Sequence, residues 1–248
     1  MTTSGADARE ARLSARRLHR FTSRARAFSR FIAQRAILKP VVWSVVRVTV
    51  IGRRDLRGVG RAFVVVANHS SHLDAPLILG ALPRRLARYL AAGAAADYFF
   101  DVWWRRGLTG LFFNAFPVDR SGVNPRAISA KVLLESGVPL LVFPEGTRSR
   151  TGEIGTFKTG AAALVTATGV PCIPVALIGA GIAHPRGSKW PKPGRLPVGV
   201  VFGAPLTPTE RETVADFTSR VRAEIVRLRD AHADRILGAS NANEGAHP

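Results

Sequence analysis

Apolar residues along this chain fall into short unbroken runs, separated by stretches in which they recur at helical spacing. The runs Val46 to Ile51, Ala62 to Ala67, Leu86 to Ala92, Pro139 to Phe143, Ile173 to Gly179 and Pro197 to Phe202 predict strands. Helices are predicted between them. One is capped by Asn124, with Pro125 at its first position and Gly137 just past its end. Another runs from about Thr159 to Thr168 and stops before Gly169. The last opens on Thr207-Pro208-Thr209-Glu210, read as a capping box, and carries Val214, Phe217, Val221, Ile225 and Leu228 on one face. Strands alternating with helices argue an α/β fold: a single domain over residues 45–238, built on a mixed, largely parallel sheet flanked by helices. His184 to Pro197, rich in proline, glycine and lysine, reads as a long surface loop. Residues 1–12 and 239–248 are small and polar and are expected to be disordered tails.

Residues 13–44 form a different kind of segment. Leu18, Phe21, Ala25, Phe28 and Ile32 follow spacings of three and four and predict one apolar stripe, with arginines beside or opposite it. A basic amphipathic helix of this composition suits the surface of an anionic bilayer; packing of the stripe on the domain is the other reading.

Candidate chemistry begins at the end of the second predicted strand. Val64-Val65-Val66-Ala67-Asn68-His69-Ser70-Ser71-His72-Leu73-Asp74 places a histidine on the turn after a buried run and an aspartate five positions on. On one continuous helix the two side chains would lie about 140° apart. With a strand ending near Ala67 and a helix starting near Asp74, the carboxylate reaches back to the imidazole. It then fixes the ring tautomer and supports the charge gained with a proton, as a base and its orienting group do. Ser71-x-x-Asp74 with Pro76 is also a capping-box-like pattern, which needs no catalytic role. No serine or cysteine is placed as a nucleophile, so the base would act on a substrate hydroxyl.

Three further blocks follow. Phe116-Pro117-Val118-Asp119-Arg120 sets an arginine after a short apolar run. Phe143-Pro144-Glu145-Gly146-Thr147-Arg148-Ser149 opens a polar loop in which glycine permits close backbone approach and arginine suits a phosphate. Val170-Pro171-Cys172-Ile173-Pro174-Val175 is the last. In this order the four resemble the signature blocks of the glycerolipid acyltransferase family, best known from the 1-acylglycerol-3-phosphate (lysophosphatidate) acyltransferases. The first resembles Asn-His-x-Ser-x-x-Asp, and the third matches Phe-Pro-Glu-Gly-Thr-Arg-Ser at every position. The second keeps Arg120 but has Asn114 where glycine is usual and Pro117 where an aromatic is common. The fourth keeps Pro171 and Pro174. The resemblance covers roughly residues 45 to 205.

What the resemblance implies is a glycerol-3-phosphate acyltransferase-like fold and direct acyl transfer from an acyl thioester to a lysophospholipid hydroxyl, in phospholipid biosynthesis. His69 takes the role of general base and Asp74 orients it. Glu145, Gly146, Thr147 and Arg148 fall on the acceptor-binding block, and Arg120 on the second phosphate-contacting position. Lys158 is a further phosphate candidate, with a solvated lysine at a helix start as its other reading. Backbone groups near Gly146 are the expected oxyanion donors. The thioester is carried by coenzyme A or acyl carrier protein, and neither cofactor nor metal is implied. The altered second block leaves glycerol 3-phosphate, another lysophospholipid or an amino-acid lipid open as acceptor.

Composition narrows the partners. The chain of 248 residues carries 36 Lys and Arg against 17 Asp and Glu, a net charge of +19, which calls for an anionic partner. From Met1 to Lys39 there are ten basic and two acidic residues, so the bias lies where the amphipathic stripe is. A nucleic-acid binder would need a basic face with interleaved aromatics on a recognised module, and the sequence has none. Cys172, the sole cysteine, reads as a small buried hydrophobe in a reducing compartment. The first residues carry no secretion signal. Val41 to Ile51 is apolar but short and interrupted by Arg47, so attachment without a span is expected. Ile37 to Val46 remains a candidate half-inserted segment. The expected place is the cytoplasmic face of the cell membrane, peripheral or monotopic. The Trp103-Trp104-Arg105-Arg106 stretch is expected on a helix, packed in the core or near the membrane or acyl site.

Overall fold

A computed structural model of the chain describes residues 15–95, 112–118 and 129–238. Its strands are β1 (Arg47–Ile51), β2 (Val64–Ala67), β3 (Ala91–Ala95), β4 (Phe116–Val118), β5 (Leu140–Val142), β6 (Cys172–Ile178) and β7 (Pro197–Phe202). They form one sheet in the order β1-β7-β6-β2-β5-β3-β4. From β6 to β4 every pairing is parallel. β7 runs antiparallel to β6, and β1 follows β7, so the sheet is mixed and largely parallel.

The helices are α1 (Arg24–Ala33), α2 (Lys39–Val45), α3 (Asp74–Ala81), α4 (Arg84–Ala87), α5 (Ala130–Glu135), α6 (Gly160–Thr168), α7 (Ala180–Ala183) and α8 (Val214–Leu237). Because β2, β6 and β7 are buried at every position, they are apolar throughout instead of alternating. Val65 and Ala67 face a core shared with α2, α3 and α4. Val64 and Val66 face the other, shared with α5, α6 and α8. One α/β domain results, with helices on both faces of its sheet.

Three sequence expectations are corrected. The run Leu86 to Ala92 is not one strand: Leu86 and Ala87 close α4, and β3 starts at Ala91. Pro83 opens that helical turn, and the Arg85 guanidinium ties it to the carbonyls of Leu56, Arg57 and Val59. The Thr207–Glu210 segment does not start α8. Thr213 is the cap, its hydroxyl accepting from the Asp216 amide at 3.1 Å. Thr207 instead holds the Arg220 guanidinium through its carbonyl, beside the Arg220–Glu212 ion pair. β4, a three-residue edge strand with a proline inside it, was not expected as a strand. Gly137 and Gly169 do follow α5 and α6 in left-handed conformations, while Asn124, Pro125 and residues 103–106 lie outside the described residues.

The N-terminal stripe is also not continuous. Helix over residues 15–22 breaks at Ser23 before α1 begins. Phe21 is buried and Leu18 packs beside it, whereas Phe28 and Ile32 face outward. A π turn, Gln34–Leu38, joins α1 to α2, and Ile37 and Val41 are exposed beyond it. The inward face carries Ala27, Arg30, Ala33 and Gln34. One half of the stripe therefore packs on the domain and the other half is left uncovered.

Gly52, at the end of β1, has φ 79°, and a Cβ there would sit 1.9 Å from the Phe202 carbonyl oxygen. Backbone on both sides leaves nothing to yield. Gly52→Ala is expected to lower the thermal midpoint by roughly 5–15 °C; an unchanged midpoint in a thermal melt would contradict this packing.

Candidate active site

β2 and β5 lie side by side with Val66 opposite Val142. Each strand releases its chain at the same carboxyl end, so His69 and Glu145, each three residues further on, meet there. The carboxyl ends of parallel strands are where α/β sheets bind ligands. Asn68, buried, extends the ladder with its side chain: Nδ2 donates to the Leu177 carbonyl at 2.9 Å and Oδ1 accepts from the Leu177 amide at 2.7 Å. The His69 ring stacks on Phe143, with centroids 4.2 Å apart and planes 18° off parallel.

Asp74 stands in the first turn of α3 and points back over the turn. Its Oδ2 accepts from the Ser70 amide at 2.6 Å and the Ser71 amide at 2.8 Å, and lies 2.8 Å from His69 Nδ1. The carboxylate is fully buried, while the His69 side chain is 23% exposed. With Nδ1–H committed to the carboxylate, Nε2 is the basic nitrogen. Among the described residues Nε2 makes no hydrogen bond. Ser71 does not act as the helix cap; its hydroxyl donates to the His184 carbonyl at 3.0 Å and accepts from the Leu73 amide.

Glu145 is the least anticipated part of the site. Oε1 accepts from the His69 amide at 2.7 Å, and Oε2 accepts from the Gly155 amide at 3.1 Å. The Ser149 amide donates to the His69 carbonyl at 2.8 Å. His69 is thus held by its backbone from the Glu145 block and by its ring from Asp74 and Phe143. Burial raises the Glu145 carboxyl from its ordinary value, against the pull of its two amides and the His69 charge. Asn68, Phe143 and Gly155 carried no assigned role in the sequence, because their contacts depend on which strands are neighbours.

Around this pair the loop supplies cations. Arg148 is half-buried, and its Nη1 is enclosed without a partner. Lys158 folds over Gly146, where a Cβ would meet Nζ at 3.1 Å. Thr147 is exposed. Gly146 adopts φ 75° and its amide donates to the Phe143 carbonyl at 3.1 Å, which turns that amide away from an oxyanion role. Arg120 lies outside the described residues. His72 meets solvent on one side, yet partial desolvation and the charges of Arg148, His184 and His69 push it down to about 4. It is neutral at physiological pH and has no carboxylate to orient it. Burial pushes the Cys172 thiol up to about 12, so it packs as a hydrophobe. Among the described residues no cluster of His, Cys, Asp or Glu has the spacing to hold a metal.

The family model described as Acyltransferase matches residues 47–178, more than half of the chain. The chain belongs to this acyltransferase family. A 1-acyl-sn-glycerol-3-phosphate acyltransferase of Chlamydomonas reinhardtii is 32% identical over 155 residues, which cover 61% of this chain and 45% of that protein. The alpha 1-acyl-sn-glycerol-3-phosphate acyltransferase of Mus musculus is 31% identical over 163 residues, covering 62% and 55%. The chain spans about half the length of the curated relatives it matches. The crystal structure of the 1-acyl-sn-glycerophosphate (LPA) acyltransferase PlsC from Thermotoga maritima superposes with a TM-score of 0.63 at 26% identity, covering 81% of this chain and 79% of that one.

Within this family member the departure at Asn114 has a local explanation. Its φ is 49°, left-handed, where asparagine is among the few residues that substitute for glycine. Its buried side chain also donates to the Tyr89 carbonyl at 3.2 Å.

Glu145→Gln replaces one of the two accepting oxygens with a donor that faces a backbone N–H. The His69 loop then shifts, and kcat is expected to fall by roughly 100-fold with circular dichroism unchanged. Full turnover in this variant would show that the clamp does not position the base.

Proposed function

We propose that this acyltransferase moves a fatty acyl group from an acyl thioester to the free hydroxyl of 1-acylglycerol 3-phosphate, giving phosphatidate. The observation that carries the proposal is the His69–Asp74 pair with Nε2 unbonded; Arg148, its Nη1 enclosed without a partner, precedes Ser149, whose amide holds the His69 carbonyl. His69 Nε2 takes the hydroxyl proton as the acceptor oxygen attacks the thioester carbonyl. Asp74 supports the imidazolium that forms. The tetrahedral intermediate then collapses: the carbon–sulfur bond breaks, an ester remains, and Nε2 returns its proton to the thiolate. Arg148, with Lys158 and Arg120, has the chemistry to hold the acceptor phosphate through charge-assisted hydrogen bonds. The names borne by the relatives support this acceptor. Coenzyme A or acyl carrier protein supplies the thioester.

The same reading places the protein peripherally on an anionic membrane surface at the cytoplasmic face. Phe28, Ile32, Ile37 and Val41 support it, being 55, 46, 54 and 58% exposed. The five-residue step from Ile32 to Ile37 falls on the π turn, whose wider spacing keeps the two on neighbouring faces. Trp190, 81% exposed, belongs to the loop that Arg195 ties to the Trp43 carbonyl of α2; tryptophan favours the bilayer interface. Among the described residues no helix is long and apolar enough to cross a membrane.

Thiol release from acyl-coenzyme A donors tests the reaction, with lysophosphatidate, glycerol 3-phosphate, other lysophospholipids and amino-acid lipids offered separately. Release is expected with lysophosphatidate, reduced by roughly 1,000-fold or more in His69→Ala. Near-normal turnover in that variant would remove the base assignment, and release with a different acceptor alone would replace lysophosphatidate.

A further inference from the structure

A second concentration of charge lies at the other end of α3. A cleft of about 520 Å³ is lined by Arg35, Lys39, Arg53, Pro83 and Arg84. Three separate segments bring these cations together: the π turn leading into α2, the 3-10 turn Arg53–Leu56 after β1, and the start of α4. No carboxylate lines the cleft. Among the described residues none of the four cations forms an ion pair, and Asp55 in the same 3-10 turn pairs with none of them.

The cations are held in place without being neutralised. Arg35 donates to the Gly80 and Leu82 carbonyls at 2.9 and 3.0 Å, and Arg53 Nε donates to the Ala81 carbonyl. These carbonyls end α3, where the helix dipole is negative, and they orient two guanidinium groups toward a common space. Arg35 Nε remains buried without a partner. Lys39 Nζ lies over the Trp43 ring at 5.0 Å. Arg84 is exposed and makes no hydrogen bond among the described residues. Burial first, and then repulsion from Arg53 and Arg84, holds Arg35 below its ordinary value. Lys39 is lowered by burial and by all three arginines. Four converging cations without a counter-charge are a cost to the fold that an anion removes, and a phosphate accepts several such hydrogen bonds at once.

We propose that this cleft binds the phosphate group of an anionic phospholipid headgroup. Asp74 opens α3 and Ala81 closes it, so the cleft lies roughly 12 Å from the catalytic end, and because β1 runs opposite to β2, Arg53 lies at the other end of the strands. It is therefore separate from the His69–Asp74 site. The choice of a lipid over a free phosphate rests on the membrane reading above: Ile37 and Val41 are exposed apolar groups on the helical stretch that carries Arg35 and Lys39, while Lys39 lies on the face turned toward α3. Headgroup capture and shallow burial of the stripe would then be made by different faces of the same short stretch of chain.

The test measures sedimentation of the full chain with vesicles of phosphatidylcholine alone and with phosphatidylglycerol added. R53Q/R84Q is compared with R211Q/R235Q, which removes the same charge before and at the end of α8. R84Q alone serves as the variant that breaks no hydrogen bond. Removing the two cleft cations is expected to weaken binding to phosphatidylglycerol vesicles by roughly 30-fold, and R84Q by roughly 5-fold, with phosphatidylcholine binding unchanged. Equal losses in both double variants would overturn the cleft in favour of diffuse charge. Inorganic phosphate is the second arm. If it raises the thermal midpoint of the parent but not of R53Q/R84Q, while vesicle binding is equal in the two, the ligand is a soluble phosphate and the lipid source is overturned. Ile37→Ser/Val41→Ser reads the stripe separately: loss on both vesicle types supports membrane seating, and unchanged binding overturns that seating while the phosphate arm still reports on the cleft.

Discussion

One oxygen organises the site. Asp74 Oδ2 gathers His69 Nδ1 and the amides of Ser70 and Ser71 within 2.6–2.8 Å, inside a side chain with no exposure to solvent. A buried carboxylate is tolerable only when donors replace the water it has lost. Here those donors all converge on Oδ2 from the turn that separates β2 from α3, while Oδ1 is buried without a partner, so holding the charge and shaping the turn are one event. The imidazole tautomer is set by the same contact, and the basic nitrogen is left facing outward. Removing Asp74 from this arrangement would release both the turn and the ring.

The second constraint is neighbourhood in the sheet. Because β2 lies between β5 and β6, the residues just past its end are reached from both sides. Asn68 locks onto Leu177 of β6, while Glu145 and Ser149 beyond β5 hold the backbone of His69. The conformation of His69 is thus over-determined before any substrate arrives, which is the preorganisation that a base acting on a weakly acidic hydroxyl needs.

These contacts also mark the limit of what the chain discloses unaided. His69 and Asp74 were legible because their relation is local, a strand end, a short turn and a helix start. The Glu145 clamp was not, since it depends on β5 lying beside β2, and no periodicity encodes strand order. The apolar run through Leu86 was ambiguous for a simpler reason: a short buried helix and a buried strand have the same hydrophobic signature. β4 is too short to show any pattern. The apolar N-terminal stripe was visible, but the break at Ser23 and the π turn, which decide which half is covered, left no sequence mark. The cleft at Arg35, Lys39, Arg53 and Arg84 is assembled from three segments and exists only in the folded chain.

The buried Asp74 carboxylate is what makes His69 the base in this mechanism. Steady-state and single-turnover kinetics of Asp74→Asn address it directly, because asparagine keeps an oxygen for the Ser70 and Ser71 amides while failing to hold the imidazole in its working tautomer. A fall in kcat of roughly 1,000-fold is expected, with the KM for acceptor and the thermal midpoint near those of the parent. Turnover within about 10-fold of the parent would contradict it, since the base would then be acting without the group that orients it.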